Sequence, residues 1–146
     1  MSFNGRISGI KLLDNSLGAL VKNIEKGKEL AVQEATLELH AEAVRVVGEN
    51  QGGSTVVRYN PKRKVSVSDP FEPPHKDKGR LQKSIKFNFS KGQGEVGTNY
   101  KVGAWLEFGT EHTAPRPWLS VAVERTSKKV AQIFEKWLSK GLKGDV

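Results

Sequence analysis

Glu107 and Glu111, with His112 beside them, are the side chains whose types and spacing come nearest to acid–base chemistry, pairing a general acid with a general base. No nucleophile accompanies them: G-x-S-x-G, a Walker lysine and H-E-x-x-H are all absent from the chain. Glu107 stands between Leu106 and Phe108 in an apolar stretch, where a carboxylate needs a partner, and Arg116 is the nearest candidate. The expectation is a charge-assisted Glu107–Arg116 pair fixing the turn before the last helix, not a catalytic dyad. Gly92-Gln93-Gly94-Glu95-Val96-Gly97 spells G-x-G-x-x-G. That motif holds a pyrophosphate where a strand feeds a helix N-terminus, whereas here it lies between two strand patterns and reads as a hairpin turn. His40, His75 and His112 lack the spacing of a metal site. The 146 residues include no cysteine, which excludes disulfides, thiolate metal sites and a cysteine nucleophile. These residues predict a binding or structural protein, with no catalytic residue, metal or cofactor.

Charge offers the second kind of chemistry. The net charge is +8, and the stretch from Arg58 to Lys91 holds ten Lys and Arg against three acids. Arg58, Lys62, Arg63, Lys64, Lys76 and Lys78 form its first half, in a basic, proline-rich loop at about 60–80. Such a focus suits an acidic surface, either a partner protein or a nucleic-acid backbone, and it equally suits a solvated loop.

The elements that must position these residues follow from periodicity. From Leu17, the positions Leu20, Ile24, Ala31, Ala35, Leu39, Ala43 and Val47 recur at helical steps, with Leu30, Leu37 and Val44 beside them. One helix from about 16 to 48 is predicted, capped by Asp14, Asn15 or Ser16 and followed by Gly48, with Gly27 as a place to bend or break. At ~1.5 Å per residue it would exceed the length a compact domain needs, so it either breaks or packs partly on another subunit. A loop at Gln51–Ser54, strands at Thr55–Tyr59 and Val65–Val67, and an extended loop over Asp69–Lys78 come next. Gly79–Ser84 reads as one helical turn. Ile85, Phe87 and Phe89 alternate as a half-buried strand, and Glu95–Thr98 returns beside it. Tyr100–Phe108 packs Val102, Ala104, Trp105, Leu106 and Phe108 into nine residues, too short and too apolar a segment to stand alone. A last helix runs from Pro117, in its first turn, to about Leu142. The predicted fold is α+β in a single domain over 1–146: a long N-terminal helix, a small mainly antiparallel sheet, and a C-terminal helix packed on the sheet. No apolar run reaches the ~18 residues of a membrane span, and Met1–Leu13 has no signal-peptide run, so a cytosolic protein is expected.

Four segments then fall in a telling order. Lys78-Gly79-Arg80-Leu81-Gln82-Lys83-Ser84-Ile85 is followed by Gly97-Thr98-Asn99-Tyr100 and Trp105-Leu106-Glu107-Phe108-Gly109-Thr110, and then by Ala114-Pro115-Arg116-Pro117-Trp118-Leu119. In this order they resemble the neck or tail-completion proteins of long-tailed phages, the Hong-Kong-type minor tail component family. The pattern departs from that family where Asp77-Lys78 replaces Asp-Thr and where Ser120-Val121-Ala122 stands in place of Pro-Ala. With the N-terminal helix, the likeness spans nearly the whole chain.

The resemblance implies a virion protein that forms a ring at the neck and joins the DNA-filled head to the tail, with no reaction catalysed. Its partners would be further copies of itself, the head-closure or connector protein, and the tail-terminator or tail-tube protein, with DNA passing through the lumen and no membrane involved. It would be found in the virion neck, and in the host cytoplasm during assembly. The matching residues Gly79, Arg80, Leu81, Ser84, Tyr100, Glu107, Phe108, Gly109, Thr110, Arg116, Pro117 and Trp118 would set the turn joining sheet to last helix and, second, an interface. The alternative from charge alone is a nucleic-acid-binding protein touching the DNA backbone through residues 58–91.

Overall fold

The computed structural model describes residues 8–49, 52–59 and 61–146, with side chains from residue 13 onward in the first helix. Its spine is helix α1, Ser8–Val46. At ~1.5 Å per residue these 39 residues span about 58 Å. The helix is unbroken and starts earlier than its periodicity suggests, so Asp14, Asn15 and Ser16 lie inside it rather than capping it. Gly27 does not bend it. A Cβ there would sit 2.7 Å from the Trp137 carbonyl oxygen, so the missing side chain is what lets another helix come close.

That other helix is α4, Leu119–Lys143. It runs antiparallel to α1. Gly141 mirrors Gly27, since a Cβ on it would lie 2.9 Å from the Asn23 carbonyl oxygen. Between these glycines and the far end, Ala31 and Ala35 bury against Ile133. Ion pairs flank the seam: Lys136 to Glu34 at 2.8 Å, Lys129 to Glu38 at 2.6 Å and Arg125 to Glu49 at 2.9 Å. Small residues set the interhelical distance and long charged ones border it.

The remaining elements are short. Strands β1 (Ser54–Tyr59) and β2 (Lys62–Val67) pair antiparallel, Tyr59 opposite Lys62. The helical turn α2 (Arg80–Ser84) leads into β3 (Ile85–Ser90), which pairs antiparallel with β4 (Gln93–Thr98). The fold is α+β, but its antiparallel pairing is divided into two separate two-stranded ribbons rather than one sheet. Lys91 and Gly92, both with positive φ, make the two-residue turn that right-twisted strands favour. This is where the G-x-G-x-x-G pattern goes. Gly92 turns the chain, and Gly94 allows β4 to lie against the hydroxyl of buried Thr36 on α1.

Two further points differ from the sequence reading. The apolar segment after Tyr100 is a helix, α3 (Lys101–Phe108), and Pro117 precedes α4 instead of sitting in its first turn, because Trp118 is the N-cap residue. The loop expected at Gln51 lies partly outside the described residues. The main core joins Ala43 and Val46 of α1, and Val47 just after it, to Leu81, Ile85, Trp118 and Ala122. The last helix therefore has α1 as its principal partner, and its first turn shares a core with the start of β3.

Candidate interaction surfaces

The motif residues converge on one joint between α2, α3 and α4. Gly103 on α3 is buried where a Cβ would meet Thr98, with Leu81 Cδ1 at 3.0 Å and Trp118 Cζ2 at 3.6 Å. Its carbonyl oxygen accepts a 2.9 Å bond from Trp118 Nε1, so the indole is buried to 2% exposure with its polar edge satisfied. A relay of small groups closes the joint from the other side. Tyr100 N–H donates to Thr98 Oγ1 at 3.1 Å, Thr98 and Ser84 hydroxyls bond at 2.6 Å, and Ser84 donates to the Leu81 carbonyl at 2.7 Å. Gly79, in the left-handed region at φ 69°, starts α2.

Glu107 does not pair with Arg116. Its carboxylate faces the N-terminus of α4: Oε2 accepts from the backbone N–H groups of Trp118 and Leu119, both at 2.8 Å, and Oε1 from that of Ser120 at 3.0 Å and from its hydroxyl. The first turn of a helix leaves N–H groups without intrahelical partners, and a carboxylate there also meets the positive end of the helix dipole. Burial alone would raise the Glu107 pKa. The Ser120 hydroxyl and the three backbone N–H groups outweigh it and hold the carboxyl below its usual range. Arg116 turns elsewhere. Its backbone N–H donates to the Leu106 carbonyl at 2.6 Å, and its Nε to the Ser68 carbonyl at 3.0 Å, tying the proline loop to α3. The ion-pair expectation failed because backbone donors, invisible in a list of side chains, won the carboxylate.

Gly109, at φ 77°, makes the exit from α3, where a Cβ would stand 2.9 Å from the Thr113 carbonyl oxygen. Thr110 and Thr113 bridge each other across the following turn. Phe108 points outward with 82% exposure, and Trp105 and Phe71 are also largely exposed, so these aromatics do not belong to the core.

The basic residues divide. Arg58 and Arg63 both reach Asp77, Arg58 Nη1 at 3.1 Å and Arg63 through Nη1 and, at 2.9 Å, Nη2. The hydrogen bond from Arg63 holds the Asp77 carboxyl below its usual range. Lys62 and Lys64 stay exposed on the ribbon, and Lys76 and Lys78 lie on the adjoining loop. Lys83, Lys86 and Lys91 belong to α2, β3 and the β3–β4 turn instead. Charge counting could not anticipate that Asp77 gathers two of the arginines. It also missed Gln82, whose amide donates to the Val44 carbonyl at 3.1 Å near the end of α1.

A third surface is the start of α1. α4 ends at Lys143, with Gly144 beside Asn23. Residues 8–22 therefore run on past it, about 22 Å of helix at ~1.5 Å per residue. Leu13, Leu17 and Val21 are exposed there, Leu17 to 51%, and Gly18 has open space around it. Leu142 is exposed near the end of α4.

Among the described residues no group of His, Cys, Asp or Glu could hold a metal ion, and no helix is long and apolar enough to cross a membrane. Comparison with protein-family models, with curated proteins and with solved structures finds no match to this chain.

Proposed function

We propose that this chain is a structural virion protein, one subunit of a ring at the neck of a long-tailed phage that joins the DNA-filled head, on its portal or connector side, to the tail tube. The order of the sequence segments supports the reading, and one observation carries it: an apolar helix face, Leu13, Leu17 and Val21, that is exposed among the described residues. Helices in water bury such stripes, and a stripe beyond the reach of α4 is suited to a neighbouring copy. Closure of a ring needs two different faces on each subunit. The α1 overhang supplies one, and the exposed aromatics Trp105 and Phe108 supply the other. The use made of Glu107 supports an assembly role over catalysis, since both carboxylate oxygens are engaged in capping α4.

The partners are further copies, the head-closure or connector protein on one side and the tail-terminator or tail-tube protein on the other. Assembly takes place in the host cytoplasm and the product resides in the virion neck. Mass spectrometry of purified particles tests this directly: the chain is expected in mature virions, at the same number of copies per particle in each preparation. A protein absent from purified particles is not a neck component.

A further inference from the structure

The register of the β1–β2 ribbon sorts its side chains into two faces. Neighbours along a strand point to opposite faces, and residues paired directly across a ladder share one. Arg58 and Arg63, opposite each other, therefore lie on the same face as Val65. That face turns inward: Val65 is buried, and Asp77 takes up both arginines. The other face carries Thr55, Val57 and Tyr59 of β1, paired in that order with Ser66, Lys64 and Lys62 of β2. All six are exposed, Tyr59 to 79%.

None of those six residues is acidic. The fold thus neutralises the ribbon's two arginines on the inner face and sets its two lysines on the outer one. Lys62 and Lys64 are two residues apart on one strand, about 6.6–6.8 Å, which is the scale of the step between successive phosphates in an extended nucleic-acid strand. Tyr59 stands directly across from Lys62, a position where Cβ atoms lie about 4.5–5.5 Å apart. The far end of the face is closed and less positive. Ser66 Oγ and His75 Nδ1 share a 2.8 Å hydrogen bond there, and a Cβ on Gly52, just before β1, would lie 3.6 Å from Glu72 Oε2. The cationic part is therefore the end that holds Tyr59, Lys62 and Lys64.

We propose that this outward face binds a single strand of nucleic acid, with a base stacked on the Tyr59 ring and adjacent phosphates on Lys62 and Lys64. Every base has a π-face, and an exposed aromatic flanked by cations is the usual platform for an unpaired strand. Lysine contacts to phosphate attract a strand without reading its sequence, so binding is expected to be indifferent to base order. An acidic protein fits this face less well: protein interfaces are rich in tyrosine but poor in lysine. A duplex also fits less well, because its stacked pairs offer Tyr59 no free base. The face shares no residue with the α1 stripe or with Trp105 and Phe108, so strand binding and ring formation stand or fall independently.

The test is fluorescence anisotropy of a labelled oligothymidylate titrated with the full chain over a range of chloride concentrations. Saturable binding that weakens as salt rises is expected. Lys62→Ala with Lys64→Ala should reduce the slope of log affinity against log salt by about 1.4, at roughly 0.7 for each phosphate contact of a single strand. Tyr59→Ala should weaken binding roughly tenfold or more, while Tyr59→Phe should bind like the unsubstituted chain, since stacking needs the ring and not the hydroxyl. These side chains are exposed, so the melting curve of each variant should match that of the unsubstituted chain. Absence of binding overturns the inference, as does undiminished binding by Tyr59→Ala or by the double lysine variant. A duplex of the same length that binds as tightly and ignores Tyr59→Ala also overturns it. Displacement of the oligonucleotide by polyglutamate at equal charge would assign the face to an acidic protein instead. None of these results depends on whether the protein occurs in virions.

Discussion

Glu107 does the work of an N-cap from another element, and its substitution separates structural from catalytic use of a carboxylate. Glu107→Ala leaves the first N–H groups of α4 unpaired and should cost about 1–2 kcal/mol, read as a lower melting temperature. The pH dependence has a definite sign. A carboxyl held below its ordinary value of 4.5 in the folded state contributes stability that is complete above that value and is lost as pH falls through the folded one. Glu107→Gln should therefore reduce stability at neutral pH and narrow the gap to the unsubstituted protein on acidification, a convergence visible in melting curves taken across the acid range. Equal loss at every pH would show that shape, not charge, is what α4 requires there. The sequence made Glu107 conspicuous because it is a carboxylate in an apolar run. It could not disclose the partner, since Trp118, Leu119 and Ser120 take part through main-chain groups that every residue but proline possesses. Ser68 was illegible for a related reason: one serine in a polar loop carries no periodicity, and only the folded chain reveals its burial.

At the scale of elements, the glycines of α1 make opposite predictions under the same substitution. Alanine is favoured over glycine in a helix by about 1 kcal/mol. Gly18 stands in open space, so Gly18→Ala should stabilise by close to that amount. Gly27→Ala gains the same propensity but places its methyl 2.7 Å from the Trp137 carbonyl oxygen, on backbone that cannot swing aside. Overpacking of this kind costs typically 1–3 kcal/mol, so the net effect should be destabilising. Chemical denaturation of the pair checks both signs, and a stabilised Gly27→Ala would mean that α1 and α4 are not held at this distance. Helical periodicity made α1 and α4 legible over most of their length, because their buried faces repeat. α3 was not, since eight residues give barely two turns and its Trp105 and Phe108 face outward. The ribbon β1–β2 was foreseen only in part, because Lys62, Arg63 and Lys64 read as loop but pair with Tyr59, Arg58 and Val57. Its strand order is set by a short connection, not by an apolar face.

The whole molecule is a spine with two ribbons and one long antiparallel partner, and its association should depend on the part of α1 that the partner does not reach. Leu17→Lys with Val21→Lys should keep the helical signal and leave the stability of the single subunit within about 0.5 kcal/mol of the parent, because both sites are exposed. The same pair should reduce the mass measured by light scattering to that of a single chain; unchanged assembly would place the subunit contact elsewhere. One property of the spine bears on how the protein comes into being. Glu34 meets Lys136 across 102 positions of sequence, and Ala31 and Ala35 meet Ile133 at a similar remove. At translation rates of roughly 5–20 residues per second, the alanine seam waits about 5–20 seconds for the chain that will cover it. During that interval the nascent first helix is a half-finished coiled pair, and any sister polypeptide on the same message is a competing lid.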